Sequence, residues 1–181
     1  MKSEFDMSDL GEMKYFLRHE IEQNDHGIFL SQKKYALDLL KKFNLDNYKS
    51  VFTPHVVNEK LVNNDEEDKV DASVYRSLAG SLLYLSSTRP DIMFIASILS
   101  RFMFSPNISY FCTAKRVLRY IKGNANCGLW YSKNQSGSLV AYSDNDWAGS
   151  VEDSKSTSGY CFSFGNATVF SWNSKKQDVV A

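Results

Sequence analysis

The chain has 181 residues, of which 43% are apolar and 23% are charged, the composition of a globular protein long enough to bury a core. Lysine plus arginine equals aspartate plus glutamate at 21 each, so affinity for nucleic acid has to come from a local patch. No apolar run reaches the length of a membrane-spanning helix, and the charged first residues are unlike a signal peptide. Cys112, Cys127 and Cys161 are too scattered for a disulfide framework or a zinc site. We therefore expect an intracellular location, in the cytoplasm or the nucleus.

The N-terminal segment predicts a β-hairpin followed by a helix. Residues 13–23 are aromatic and apolar enough for one long strand, residues 24–27 indicate a turn, and residues 28–30 indicate the returning strand. Ser31 is a suitable N-cap for the next helix, SQKKYALDLLKKF. Residues 51–72 are polar, contain an acidic run at 65–68, and predict a linker or a long surface loop.

Three antiparallel helices are predicted in the middle of the chain, and they should form the best core. Each carries an apolar stripe at helical spacing. The first stripe is Tyr75, Leu78, Ala79, Leu82 and Leu83. The second helix begins at Pro90, and its stripe is Phe94, Ile95, Ile98, Leu99, Phe102 and Met103. The third runs from Ile108 to Lys122 before Gly123, with Phe111, Ala114, Leu118 and Ile121 facing inward.

A row of basic residues lies on another face of the third predicted helix. Lys115, Arg119 and Lys122 follow one another at i, i+4 and i+7, with Arg116 beside them. A nucleic-acid backbone presents regularly spaced phosphates, and such a row suits their neutralisation. A solvated helix face explains the same pattern. These four residues are therefore candidate nucleic-acid contacts, and both explanations stay open on this evidence.

The last third of the chain predicts strands rich in aromatic and β-branched residues. They cover residues 128–131, 139–144, 159–164 and 168–172, the last two joined by a turn at Gly165 and Asn166. We expect one four-stranded mixed sheet with one face uncovered, which is marginal alone, so both ends of the chain look cut. The fold class predicted is α+β: an N-terminal β-hairpin plus helix, central antiparallel helices and this C-terminal sheet.

The segment LVAYSDNDWAG, which contains the second of these strands, places two carboxylates at the exit of that strand. Alternation puts Asp144 at the end of the strand, and Asp146 follows two residues later. A carboxylate at a strand end can hold a hard cation such as Mg²⁺. Aspartate is also an ordinary turn residue, so Asp144 and Asp146 can equally be the caps of a hairpin.

Eight sequence blocks in order carry a resemblance to a known family. They are MSDLGEMKYFL, GIFLSQKKYALDLLKKF, YRSLAGSLLYLSSTRPDI, LSRFM, AKRVLRYIKG, YSDNDWAGS, KSTSGY and SWNSKKQ. Together they resemble, from end to end, the Pol polyprotein of copia-type LTR retrotransposons. The resemblance implies a palm end and thumb-like hairpin and helix of reverse transcriptase in residues 1–50, a linker in 51–72, and a helical thumb or connection region in 73–123. Residues 124–181 would be a truncated ribonuclease H-like domain.

The same resemblance implies which catalytic residues are missing. The family's polymerase aspartates lie in a YVDD motif upstream of MSDLG, and no such motif occurs in this sequence. Asp144 matches the first metal-binding aspartate of ribonuclease H, but the chain ends before the family's later carboxylates. Both reactions need several carboxylates to hold two Mg²⁺ ions. We therefore expect Mg²⁺ to serve the parent enzyme, with weak or no metal binding at Asp144 and no catalysis by this chain alone.

Three functions remain open on this evidence. The chain is an inactive retroelement fragment, a piece of a longer active RNA-directed DNA polymerase, or a non-catalytic nucleic-acid-binding module. Its expected partners are an RNA–DNA hybrid or template–primer and the remainder of Pol, with no membrane. In the parent architecture the connection region lies beside the template–primer duplex, which favours nucleic-acid contact by the basic row. Arg18 departs from the family pattern, in which a glycine follows YFL, and this puts normal primer positioning in doubt.

Overall fold

The computed structural model describes residues 11–56, 61, 68–134, 137–165 and 168–180. They contain strands and helices in alternating groups, and residues 65–67 of the acidic run lie outside the described ranges. The strands are β1 (Tyr15–Phe16), β2 (His19–Asn24), β3 (Gly27–Ser31), β4 (Leu129–Ser132), β5 (Leu139–Asn145), β6 (Thr157–Phe164) and β7 (Val169–Lys176). The helices are α1 (Lys33–Lys42), α2 (Ala72–Leu85), α3 (Met93–Ser100), which follows a 3-10 turn at Pro90–Ile92, and α4 (Ile108–Gly123).

The N-terminal sheet is antiparallel and has the strand order β1-β2-β3-β4. The prediction of one long strand over residues 13–23 is wrong, because a two-residue turn at Leu17 and Arg18 divides it. Their φ angles are 45° and 63°, a left-handed backbone that matches the twist of a tight hairpin. A glycine adopts this conformation without the steric cost that Arg18 incurs, which accounts for the glycine in the pattern that the chain resembles. The hairpin of β2 and β3 is confirmed.

The first turn of helix α1 is capped from another element, because the Lys34 amide donates a 2.8 Å hydrogen bond to Glu20 Oε2 on β2. The prediction that Ser31 is the N-cap is wrong, because Ser31 is the last residue of β3 and Gln32 holds the cap position. Gln32 makes no capping hydrogen bond; its Oε1 instead accepts a hydrogen bond of 2.9 Å from Thr88 Oγ1. The side chain that would cap α1 therefore ties its start to the end of α2.

One buried apolar cluster joins all four helices. Its largest fully buried members include Tyr75, Leu78, Leu82, Ile95, Leu99, Tyr110 and Leu118. The hydroxyl of Tyr75 donates a 2.8 Å hydrogen bond to the carbonyl of Leu99, and burial raises the pKa of Tyr75. The predicted inward face of α3 is partly wrong, since Phe94 is 47% exposed while Ala96 is buried. The reason is that α3 packs against both the helical core and β7, which rotates its apolar side.

The C-terminal sheet differs from the predicted one in two ways. Its described strands follow the order β5-β6-β7 and are antiparallel throughout, so the mixed sheet is wrong. The first of the four predicted strands, β4, pairs instead with β3, where Trp130 lies opposite Phe29. Gly128 precedes this pairing, and a Cβ there would lie 2.4 Å from the carbonyl oxygen of Leu30. Periodicity identifies strands but not their partners, which is why the α+β class is confirmed and the four-stranded sheet is not.

Helix α3 packs against β7, the edge strand of the C-terminal sheet. Ser97 Oγ donates a 2.8 Å hydrogen bond to the carbonyl of Ser174, and Trp172 Nε1 donates one of 3.0 Å to the carbonyl of Ser86. These contacts place β7, the last strand of the second sheet, beside the helical region. None of the helices in the described ranges has the length and apolar character needed to cross a bilayer.

Candidate nucleic-acid interface and carboxylate site

Helix α4 carries the four predicted basic residues on one half-buried face, named here the α4 basic face: Lys115, Arg116, Arg119 and Lys122. The helix is fixed at its start, where the Asn107 side chain accepts a 3.0 Å hydrogen bond from the Tyr110 amide. Its opposite side is buried in the core through residues such as Val117 and Ile121. The basic side chains are therefore held on a rigid support.

Residues 46–53, named here the strap, cross the α4 basic face. Lys122 Nζ donates hydrogen bonds of 2.5 and 2.7 Å to the carbonyls of Asp46 and Tyr48. Arg119 Nε donates one of 2.8 Å to the carbonyl of Lys49. Three of the strap's backbone carbonyls are thus neutral acceptors for cations that the sequence made candidates for phosphate contact.

Two further contacts fix the second half of the strap. The Val51 amide donates a 3.4 Å hydrogen bond to the carbonyl of Arg119, and Arg116 Nη2 donates one of 3.0 Å to Thr53 Oγ1. A Cβ on Gly123 would lie 3.2 Å from Ser50 Cβ, so the glycine that ends α4 also lets the strap approach closely. The contacts of the strap could not be predicted from the sequence, since nothing in a polar loop indicates which helix it will touch.

Lys115 is the one member of the α4 basic face for which no strap contact is described. Its Nζ lies 4.3 Å from the centroid of the Phe111 ring, one turn earlier on the same helix. A cation over an aromatic face keeps its charge and can still meet an anion. Lys115 is therefore the residue of this face that can bind a phosphate without disturbing the strap.

Asp144 lies on the exposed strand β5, opposite Gly159 of β6, which in turn lies opposite Ser174 of β7. A groove of about 840 Å³, lined by residues of α3 and of the sheet, includes all three of these residues. The Oγ atom of Ser174 is buried there without a hydrogen-bond partner. The predicted position of Asp144 near the end of a strand is confirmed.

Asp146 lies just beyond β5, and its carboxylate is already hydrogen-bonded within the protein. Its Oδ1 accepts a 2.7 Å hydrogen bond from the Thr157 amide, which serves the hairpin-capping role that the sequence allowed. Arg101 approaches from α3 and donates a 3.1 Å hydrogen bond from Nη2 to Thr157 Oγ1. Burial lowers the pKa of Arg101, and the carboxylates of Asp146 and Asp153 oppose that shift.

Asp153 is the third aspartate of this region, and a lysine neutralises it. Lys176 Nζ lies 2.7 Å from Asp153 Oδ1. Hydrogen bonds from Lys176 and Ser150 lower the pKa of Asp153 to about 2. The cation beside this carboxylate is therefore a side chain of the protein itself.

The donor set around Asp144 does not fit a divalent metal centre. Across the described ranges, no three histidine, cysteine, aspartate or glutamate side chains come together as a possible metal site. Mg²⁺ prefers an octahedron of oxygen ligands, with one or two carboxylates freely available to it. Asp146 and Asp153 are turned to other partners, which leaves Asp144 as a single available carboxylate.

An ion pair between a buried arginine and a partly exposed aspartate, just before α3, was not anticipated from the sequence. Arg89 is 4% exposed, and its Nη2 lies 2.7 Å from Asp91 Oδ2. The same guanidinium donates to the backbone and side-chain oxygens of Asn124, just past α4, and the Tyr120 hydroxyl donates to Asp91. Burial by itself raises the pKa of Asp91, but the hydrogen bonds and charge of Arg89 outweigh it and hold that pKa below its usual value. This network joins α3 to α4 and has no free group for chemistry.

Comparison with known proteins adds evidence on the lineage of the chain. A sequence model of the family described as "Reverse transcriptase (RNA-dependent DNA polymerase)" matches residues 1–57. The retrovirus-related Pol polyprotein from transposon RE1 of Arabidopsis thaliana is 41% identical over 177 residues, which is 98% of this chain and 12% of that protein. The Pol polyprotein from transposon TNT 1-94 of Nicotiana tabacum is 34% identical over all of this chain and 14% of its own length.

A much shorter relative spans the same stretch. An uncharacterised mitochondrial protein of Arabidopsis thaliana is 38% identical over 182 residues, which is 100% of this chain and 75% of that protein. The chain therefore covers a small part of the Pol polyproteins and most of this relative. No solved structure matches the chain.

Proposed function

The chain belongs to the Pol polyproteins of copia-type retrotransposons, and we propose that it is a segment that holds nucleic acid between the reverse-transcriptase and ribonuclease H parts without being a complete catalytic unit. The observation that carries this proposal is the α4 basic face on its rigid helix. A reverse transcriptase acts on nucleic acid with a divalent metal, so the chain's own basic surface has a polymer of phosphates as its natural partner.

The proposed contact is with the backbone of an RNA–DNA hybrid. Lys115 meets phosphate directly, because its ammonium is not bound to the strap. Arg119 uses Nε toward Lys49, which leaves its other guanidinium nitrogens for phosphate oxygens. Such contacts fix the position of the nucleic acid on the protein and the strength of binding, and they do not depend on the base sequence.

The C-terminal sheet is proposed to be the beginning of a ribonuclease H-like domain, without activity in this chain. Support comes from Asp144 near the end of β5, in an antiparallel three-stranded sheet. The catalytic reaction needs more carboxylates than this site offers. In the whole enzyme, Mg²⁺ would activate water for hydrolysis. In this chain, the Asp146 carboxylate holds the end of β5 to the Thr157 amide.

The test is salt-dependent binding of a labelled RNA–DNA hybrid by the purified chain, followed by fluorescence anisotropy. We expect the logarithm of affinity to fall linearly with the logarithm of salt concentration, with a slope of about −0.9 per phosphate contact. Lys115→Ala should reduce that slope by about one contact. Lys33→Ala, which removes an exposed lysine from α1, is the matched control and should change nothing.

The same samples test catalysis when Mg²⁺ or Mn²⁺ is added. We expect no cleavage of the hybrid and equal binding by the wild type and Asp144→Asn. Cleavage that disappears in Asp144→Asn would contradict the proposal, because it would require a complete metal site. An absence of binding at low salt would remove the nucleic-acid role.

A further inference from the structure

Two aromatic side chains of the strap face solvent. Phe52 is 101% exposed and Tyr48 is 57% exposed. A single exposed aromatic residue is ordinary, but these two lie on one short segment with Lys49 between them. The strap therefore exposes two aromatic rings and a cation within five residues.

The hydrogen bonds of the strap fix the backbone on both sides of Phe52. The Val51 amide is bonded to the Arg119 carbonyl, and the Thr53 side chain is bonded to the Arg116 guanidinium. The fully exposed ring of Phe52 is therefore carried on a segment that is attached to α4 at both of its neighbours. Tyr48 is fixed in the same way by Lys122, which binds its carbonyl.

The charges beneath the strap are predominantly positive. The α4 basic face supplies four cations and the strap supplies Lys49, while Asp46 contributes the strap's carboxylate. The hydrogen bonds to backbone carbonyls orient these cations without neutralising them. A surface of exposed rings on a positive support matches the way proteins hold single-stranded nucleic acid, where bases stack on aromatic side chains and the backbone follows a basic groove.

We propose that the strap is a stacking platform for single-stranded nucleic acid, with bases on Tyr48 and Phe52 and phosphates along Lys49 and Lys115. This inference rests on the proposed nucleic-acid role and adds a second ligand, a single strand bound beside the hybrid, together with the residues that select it. Arg116, Arg119 and Lys122 are then positioning residues, because they hold the strap in place. A duplex keeps its bases stacked inside and gains nothing from the two rings.

The experiment compares labelled oligo(dT), oligo(U) and an RNA–DNA hybrid of equal length, bound to the full chain and followed by anisotropy. Phe52→Ala should weaken binding of the single strands by roughly 5- to 100-fold, the range of one lost base stack, and leave the hybrid unchanged. Phe104→Ala is the matched control, because Phe104 is 94% exposed and lies outside the strap. Equal losses for oligo(dT) and oligo(U) would indicate stacking alone, and a larger loss for oligo(U) would place RNA as the ligand.

A second variant separates stacking from structure. Phe52→Trp should restore single-strand binding, and the fluorescence of the new indole should be quenched when the oligonucleotide binds. Single-strand affinity unchanged in Phe52→Ala would overturn the inference, as would an equal loss for single strand and hybrid. If Lys115→Ala still reduces the salt slope for the hybrid in that case, the proposed function stands and only the platform fails.

Discussion

The helical region and the C-terminal sheet are stabilised by different interactions. In the helices, the buried side chains are largely apolar, and many, such as Leu82 and Leu99, are completely inaccessible. In the described residues from 137 onward, the buried side chains are all hydroxyl-bearing: Ser156, Thr157, Ser163 and Ser174. The helical region therefore has its own hydrophobic core, whereas the sheet depends on hydrogen bonds and on α3.

The contrast explains where each candidate site lies. The α4 basic face and its strap sit on an element fixed by the core, so their geometry is set in advance. Asp144 lies on β5, an edge strand whose residues are nearly all exposed. A three-stranded sheet without buried apolar side chains is marginal by itself, and a carboxylate on its edge is correspondingly poorly supported.

The largest expected effect comes from truncating the helical core. Leu82→Ala or Leu99→Ala should cost about 2–5 kcal/mol of unfolding free energy, because each leaves a cavity in a fully buried site. Phe162→Ala removes more atoms from the middle of β6, but that side chain is half-buried, and we expect a loss of only about 1–2 kcal/mol. Urea denaturation of the three variants measures each loss of unfolding free energy. A larger loss for Phe162→Ala would show that the sheet contributes more packing than its burial indicates.

The local pattern of the sequence was sufficient for the helices and insufficient for the contacts between segments. The stripe Tyr75, Leu78, Ala79 and Leu82 predicted a buried face correctly, because helical periodicity is a property of a short window. The pairing of β4 with β3 was missed, since the partners are about one hundred residues apart and neither strand encodes the other. Local turn chemistry was missed at Leu17 and Arg18, because two large residues seldom adopt positive φ.

The candidate site was predicted to a similar extent. Lys115, Arg116, Arg119 and Lys122 do share one face, as helical spacing requires. Their partners on the strap could not be predicted from the helical spacing, because the acceptors are backbone carbonyls, which every residue carries. The position of Asp144 followed from alternation, whereas the engagement of Asp146 by Thr157 depends on the hairpin's register.

The second prediction concerns the ion pair that joins α3 to α4. Arg89→Met keeps the buried volume and removes the charge and its hydrogen bonds, and we expect a loss of about 1–3 kcal/mol at neutral pH. Because the pKa of Asp91 is lowered in the folded chain, its contribution is present above the usual aspartate pKa and is lost as pH falls through the folded value. The wild type should lose stability below about pH 4 more steeply than Arg89→Met. Urea midpoints measured from pH 7 to pH 2 provide the comparison, and parallel curves would contradict it.

The smallest expected effect tests the attachment of the sheet to the helices. Trp172→Phe keeps an aromatic ring but removes the hydrogen bond from Nε1 to the Ser86 carbonyl, at a cost of about 0.5–1.5 kcal/mol. If the sheet depends on this attachment, amides of β5, β6 and β7 should exchange with deuterium several-fold faster, while those of α2 and α4 should keep their protection. Tyr142→Phe, which changes a 67% exposed ring on β5 outside the attachment, is the control and should leave both regions unchanged. Faster exchange in the helices as well would mean that the two regions unfold as one cooperative unit, and the distinction between a self-sufficient core and a dependent sheet would fail.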